Sequence, residues 1–193
     1  AARHDAIACC DELARSSEPQ MIFDLGCNTG DFTVTALENG AKSAVGFDFD
    51  FGALEQAFSR FSKSGQPVLP LWLDATNPSP SQGWASKERK SLGERADADA
   101  LLALAVIHHL AIARNVPLDM AVDWLMNLEP VGIIEFPSKS DSMVQQLLSA
   151  RTDILPDYTE EAFLAHVRAR IDDRAEKRLG ENGRLLIQYD RRQ

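Results

Sequence analysis

Short apolar runs alternate with amphipathic stretches along the whole chain. Ala6 to Ala14 reads as a leading helix, ended by Ser16-Ser17-Glu18-Pro19. Met21 to Leu25 is apolar and stops at Gly26, a buried strand by its length and flanks. Asp31 to Glu38 has helical character and closes at Asn39-Gly40. Ser43 to Phe47 reads as a second strand, followed by Asp48-Phe49-Asp50. Leu54, Ala57, Phe58 and Phe61 then recur at helical spacing. Val68 to Leu73 predicts a third strand, although Pro70 lacks an N–H for the ladder. A long connection, 74–97, follows, and connections of that length usually carry function. Asp99 to Ile107 is almost continuously apolar, as a central parallel strand is. Asp119 to Leu128 predicts a helix, Val131 to Phe136 a fifth strand stopped by Pro137, and Met143 to Ala150 and Glu160 to Arg170 two further helices. Ala175 to Leu179 and Arg184 to Tyr189 are the last strands, joined through Asn182-Gly183, which signals an antiparallel hairpin.

Five strand–helix units closed by a hairpin predict an α/β fold. The expected architecture is a Rossmann-like three-layer sandwich. Its seven-stranded, mostly parallel sheet ends in an antiparallel C-terminal strand. The 193 residues suit one domain, 1–193, with a lid loop at 74–97 and a substrate-side loop at 137–157. The chain begins Ala1-Ala2-Arg3 without Met, so N-terminal truncation is an expectation.

Charge narrows the partners. Lys and Arg total 20 against 29 Asp and Glu, a net −9, which disfavours a nucleic-acid partner. The apolar run near Ala100 is too short to span a bilayer. Cys9 and Cys10 are adjacent, a poor disulfide pair, and Cys27 is left over. No cysteine–histidine set forms a metal site, and free thiols fit a reducing, cytoplasmic setting.

In open parallel sheets, ligands sit beyond the C-terminal strand ends. Asp24, Asp31, Asp48, Asp74 and Glu135 all fall there. Gly26 and Gly30 permit close backbone approach, and Asn28 tolerates positive φ. The dinucleotide fingerprint fails, because its second and third glycines would be Asn28 and Asp31. A carboxylate at Asp31 opposes a pyrophosphate at the helix N-terminus. A cationic ligand without phosphate suits the site better, and S-adenosylmethionine is one. Asp48, 22 residues after Gly26, stands where an acid meets ribose hydroxyls. Asp74 is placed to accept from the adenine amino group.

The runs Asp24-Leu25-Gly26-Cys27-Asn28-Thr29-Gly30, Gly46-Phe47-Asp48, Leu73-Asp74-Ala75 and Ala105-Val106-Ile107-His108-His109-Leu110 resemble the class I S-adenosylmethionine-dependent methyltransferases. The resemblance covers essentially the whole chain. It implies a seventh strand inserted between the fifth and sixth, and an EC 2.1.1 enzyme. It implies that Gly26 and Gly30 line the methionine part, Asp48 holds ribose, and Asp74 with Ala75 faces adenine. Asp24, Asn28, Phe49 and Ala105 complete the expected cofactor set. Asn28 departs from the family, where glycine is common. Ile133-Ile134-Glu135-Phe136-Pro137, Asp141 to Val144 and Asp157-Tyr158-Thr159 also look like a nodulation-protein-like group of bacterial methyltransferases.

Roles on the acceptor side stay open. His108 and His109 are candidate general bases, or structural parts of a turn that family members share. Glu135 points at substrate or at a backbone anchor. Asp24 either contacts the ligand or buttresses the glycine loop. Asp50 reads as a helix N-cap. Trp84 and the basic stretch Lys87 to Arg95 either cover the site or form a solvated lid. The expected acceptor is a small molecule or protein. The alternatives are an RNA methyltransferase, a domain of a larger biosynthetic enzyme, and a non-catalytic nucleoside-binding relative.

Overall fold

The computed structural model describes residues 2–149, 155–171, 174–179 and 184–192. Seven strands form one sheet: β1 Met21–Leu25, β2 Ser43–Asp48, β3 Val68–Trp72, β4 Ala100–Ala103, β5 Val131–Phe136, β6 Arg174–Leu179 and β7 Arg184–Asp190. Their spatial order is β3-β2-β1-β4-β5-β7-β6. The first five are parallel, and β7 runs antiparallel between β5 and β6. The expected insertion of the last strand is therefore present. The Asn182-Gly183 turn lies outside the described residues.

The helices are α1 Ala2–Ser17, α2 Asp31–Glu38, α3 Phe51–Ser64, α4 Leu92–Arg95, α5 Leu118–Leu128, α6 Ser142–Leu148 and α7 Glu160–Arg168. Their starts follow local chemistry. Asp50 Oδ1 accepts from the N–H groups of Gly52 and Ala53 and so caps α3. Gly65 closes that helix in the left-handed conformation, φ 68°. Asp141 caps α6 and Thr159 caps α7 in the same way.

Strand alternation divides the core. Ile22, Ala44, Leu102 and Ile133 face the side packed by α1 and α2. Phe23, Phe47, Leu101 and Ile134 face the side packed by α5 and α7. Helices cover that second face over β4, β5 and β7. Over β1, β2 and β3 the cover is the 77–97 segment, whose longest helix is the four-residue α4. A groove of about 620 Å³ is left there, with Phe23, Val45, Phe47 and Leu71 as its floor.

Pro70 fits this sheet for a definite reason. Leu73 donates to Asp48 O, and Pro67 O accepts from Ala44 N. Odd positions of β3 therefore face β2, and Pro70 sits at the open edge where no ladder donor is needed.

One strand is shorter than its apolar run. β4 ends at Ala103, and Ala105 has φ 53°. Leu104, Val106 and Ile107 are apolar because they are buried, and 104–107 leaves the sheet before His108.

Candidate active site

The turn after β1 is built around the end of β2. Gly26 and Cys27 both donate backbone hydrogen bonds to Phe47 O, at 2.8 and 3.0 Å. Gly26 has φ 71°, and a Cβ there would stand 2.9 Å from Val106 Cγ2. Asn28 takes φ 50°, as its side chain permits. Its N–H donates to Asp48 Oδ2 at 2.9 Å, and the N–H of Asp50 donates to Asp48 Oδ1 at 2.9 Å. Each oxygen of Asp48 thus has one backbone donor and keeps accepting capacity.

Asp48 lines a cavity of about 370 Å³ with Gly26, Asn28, Phe49, Asp74, Ala75, Ala105 and His109. Asp74 Oδ1 accepts from Thr76 N and Thr76 Oγ1, at 2.9 and 2.7 Å. Those two bonds hold its carboxyl below the ordinary range. Phe49 is largely exposed at the rim.

A second cavity of about 390 Å³ shares Gly26, Asn28 and Ala105 with the first. Ala105, in a left-handed conformation, stands on the seam between them. Asp31, Glu135 and Arg184 complete the polar wall. Arg60 on α3 donates to Asp31 Oδ1 at 2.7 Å and to Thr29 O at 3.0 Å, pinning this side of the loop. Arg184 at the start of β7 reaches two acids. Its Nη1 donates to Glu135 Oε1 at 3.0 Å and its Nε to Asp141 Oδ2 at 2.7 Å. Burial would raise the Asp141 pKa, but hydrogen bonds from Arg184 and Met143 N outweigh it and hold the carboxyl low.

Three expected site residues line neither cavity. Asp24 is buried and accepts from Thr33 Oγ1 at 2.5 Å. It buttresses the start of α2 from behind the loop. Gly30 has φ 85° and lies against the Phe61 ring, where a Cβ would meet Cζ at 2.3 Å. His108 is buried, and its Nδ1 has no partner among the described residues. Burial, with help from His109 and Arg184, pushes its pKa down to about 4, so the ring is neutral. The early end of β4 turns His108 inward and leaves His109 on the Asp48 side. The 77–97 segment also lines neither cavity, and Trp84 is 86% exposed. It lies along the sheet face, not over the strand ends. Arg184 was not legible in the sequence, since no motif surrounds it.

Asp24 gives a pH prediction. Burial first, and then the charge of Asp48, raises its pKa to about 7, against the pull of Thr33. The folded state then holds a proton that the unfolded chain gives up near pH 4. This contribution is present at low pH and is lost as pH rises from about 4 to about 7. Asp24→Asn keeps an acceptor for Thr33 and is expected to flatten that decline. Urea melts of both proteins across this range check it, and parallel pH profiles would refute it.

The strand order is that of the class I methyltransferase fold. In sequence it is related to nodulation protein NoeA of Rhizobium meliloti (strain 1021), with 55% identity over 152 residues, covering 79% of this chain and 32% of NoeA. The chain thus spans about a third of that relative's length. No protein-family model matches. The methyltransferase domain of bacterial CtHen1 superposes with TM-score 0.66 at 14% identity, over 98% of this chain and 100% of that one. The N-methyltransferase NodS from Bradyrhizobium japonicum WM9, in complex with S-adenosyl-L-homocysteine, superposes with TM-score 0.64 at 15% identity, over 98% and 87%.

Proposed function

We propose that this chain transfers a methyl group from S-adenosylmethionine to a small-molecule or protein acceptor. The observation that carries the reading is Asp48. It ends β2, lines a cavity, and has both oxygens oriented by backbone N–H groups. Such a carboxylate suits a ribose diol, because it is held in place before the ligand arrives.

Gly26 would let the backbone approach the methionine part, and Asp74 would face the adenine amino group. Ala105, on the seam, would flank the sulfonium. When bound, the cofactor supplies a methyl group activated by that sulfonium. The chain's own task is to align the acceptor in line with it and to exclude water. His109 lies on the nucleoside side in this reading, and the neutral, enclosed His108 takes no proton from an acceptor. Glu135 is the acid of the second cavity, across Ala105 from the nucleoside. The presence of S-adenosyl-L-homocysteine in NodS supports the cofactor, and NodS's N-methyltransferase activity makes amines natural first acceptors to try. A cytoplasmic setting suits the free cysteines and this cofactor.

Titration calorimetry with S-adenosylmethionine and S-adenosylhomocysteine is the test. Micromolar binding of both is expected. Binding of neither sinks the proposal. RNA affinity that falls steeply with salt would favour an RNA acceptor instead.

A further inference from the structure

We infer that Glu135, fixed in place by Arg184, is the seat of a positively charged nitrogen in the second cavity. This rests on the methyltransferase reading and names a ligand group at its site.

The cluster is charged and largely enclosed. Glu135 and Asp141 are 4% and 2% exposed. Two carboxylates face one guanidinium, so the group carries a surplus negative charge. The two acids are not equivalent. Asp141 spends one oxygen on Met143 N and the other on Arg184 Nε. Glu135 spends only Oε1, on Arg184 Nη1. Its Oε2 makes no hydrogen bond among the described residues and belongs to a side chain on the cavity wall. An anion placed beside Arg184 would stand next to Glu135 and be repelled. An ammonium beside Glu135 would complete a pattern of alternating charge. Asp31, the other acid of this cavity, is already paired with Arg60.

Arg184 is then a positioning residue. It holds the Glu135 carboxylate from β7 and draws the entry of α6 toward it through Asp141.

Two ammonium groups can reach this wall: the α-ammonium of the cofactor's methionine part, or an amine on the acceptor. Calorimetry on the full chain separates them. Glu135→Gln keeps the shape and the bond from Arg184 Nη1. If the cofactor supplies the ammonium, this variant binds S-adenosylhomocysteine about 10- to 100-fold more weakly. It then binds 5′-methylthioadenosine, which lacks the amino-acid end, as wild type does. If the acceptor supplies it, S-adenosylhomocysteine binding is unchanged. Benzylamine then binds the S-adenosylhomocysteine-loaded wild type but not the loaded variant. Arg184→Lys keeps the charge without the fork, and is expected to show a partial loss on the same ligand only.

Unchanged S-adenosylhomocysteine affinity, with benzylamine binding both proteins or neither, overturns the assignment. So does an equal loss of S-adenosylhomocysteine and 5′-methylthioadenosine, which marks a merely structural role. A wild-type chain that binds neither nucleoside instead overturns the methyltransferase reading itself.

Discussion

Asp48→Ala is expected to weaken S-adenosylhomocysteine binding by about 100-fold or more. A hydrogen bond to a charged group contributes about 1.5–3 kcal/mol, and each 1.4 kcal/mol is tenfold in affinity. A ribose diol offers two such bonds, so their joint loss reaches this range. The substitution also releases the N–H groups of Asn28 and Asp50, which Asp48 now holds at 2.9 Å each. The glycine turn then loses the anchor that sets the Asn28 conformation. Asp48→Asn keeps one carbonyl oxygen and is expected to lose about tenfold, the cost of exchanging a charged acceptor for a neutral one. Calorimetry on both variants, beside urea melts, separates lost contact from lost fold. Wild-type affinity in the alanine variant would refute the assigned contact.

Gly30→Ala is expected to act on stability, not affinity. The position has φ 85°, and the new Cβ would fall 2.3 Å from Phe61 Cζ. A left-handed non-glycine residue costs about 1–2 kcal/mol, and overpacking a buried ring adds about 1–3 kcal/mol. A loss of about 2–5 kcal/mol follows, read as a lower urea midpoint with an unchanged slope. Phe61 is 3% exposed, so its ring has nowhere to go. Phe61→Leu in the same chain should recover part of the steric cost and none of the backbone cost, a coupling that a double-mutant cycle measures. Intact stability with lost S-adenosylhomocysteine binding would return Gly30 to the cofactor site.

These two residues mark how far the sequence could be read. Asp48 was legible because strand period, the following capped helix and the spacing from Gly26 all place it at one strand end. Gly30 was legible as a required glycine but not by its cause. Its constraint comes from an aromatic ring 31 residues further along the chain, which no local pattern names. The histidine pair shows a different limit. Sequence sets His108 and His109 side by side as equals, yet the turn begun at Ala105 sends one inward and one to a cavity. That turn was hidden because an apolar run looks alike in a strand and in a buried bend. Arg184 was invisible for a third reason. Its partners Glu135 and Asp141 lie 49 and 43 residues away, and only the insertion of β7 beside β5 brings them together. The 74–97 connection was noticed for its length, and its path follows from the crossover having to pass over one sheet face to reach β4.

That thinly covered face also shapes how the molecule breathes. Local opening is cheapest where the least apolar surface is buried. β4 and β5 lie in the middle of the sheet with helices above and below. β3 is an edge strand that meets α3 on one side and, across the groove, the mostly non-helical 77–97 segment on the other. β3 with the crossover that follows it is therefore expected to open more readily than β4 and β5 at the centre of the sheet. Asp74 sits at the head of that unit, and Asp48 is in register with its Trp72. A nucleoside held by both acids would tie the loose unit to the rigid one. Ligand binding would then be felt as slowed amide exchange along β3, well beyond the residues that touch the ligand.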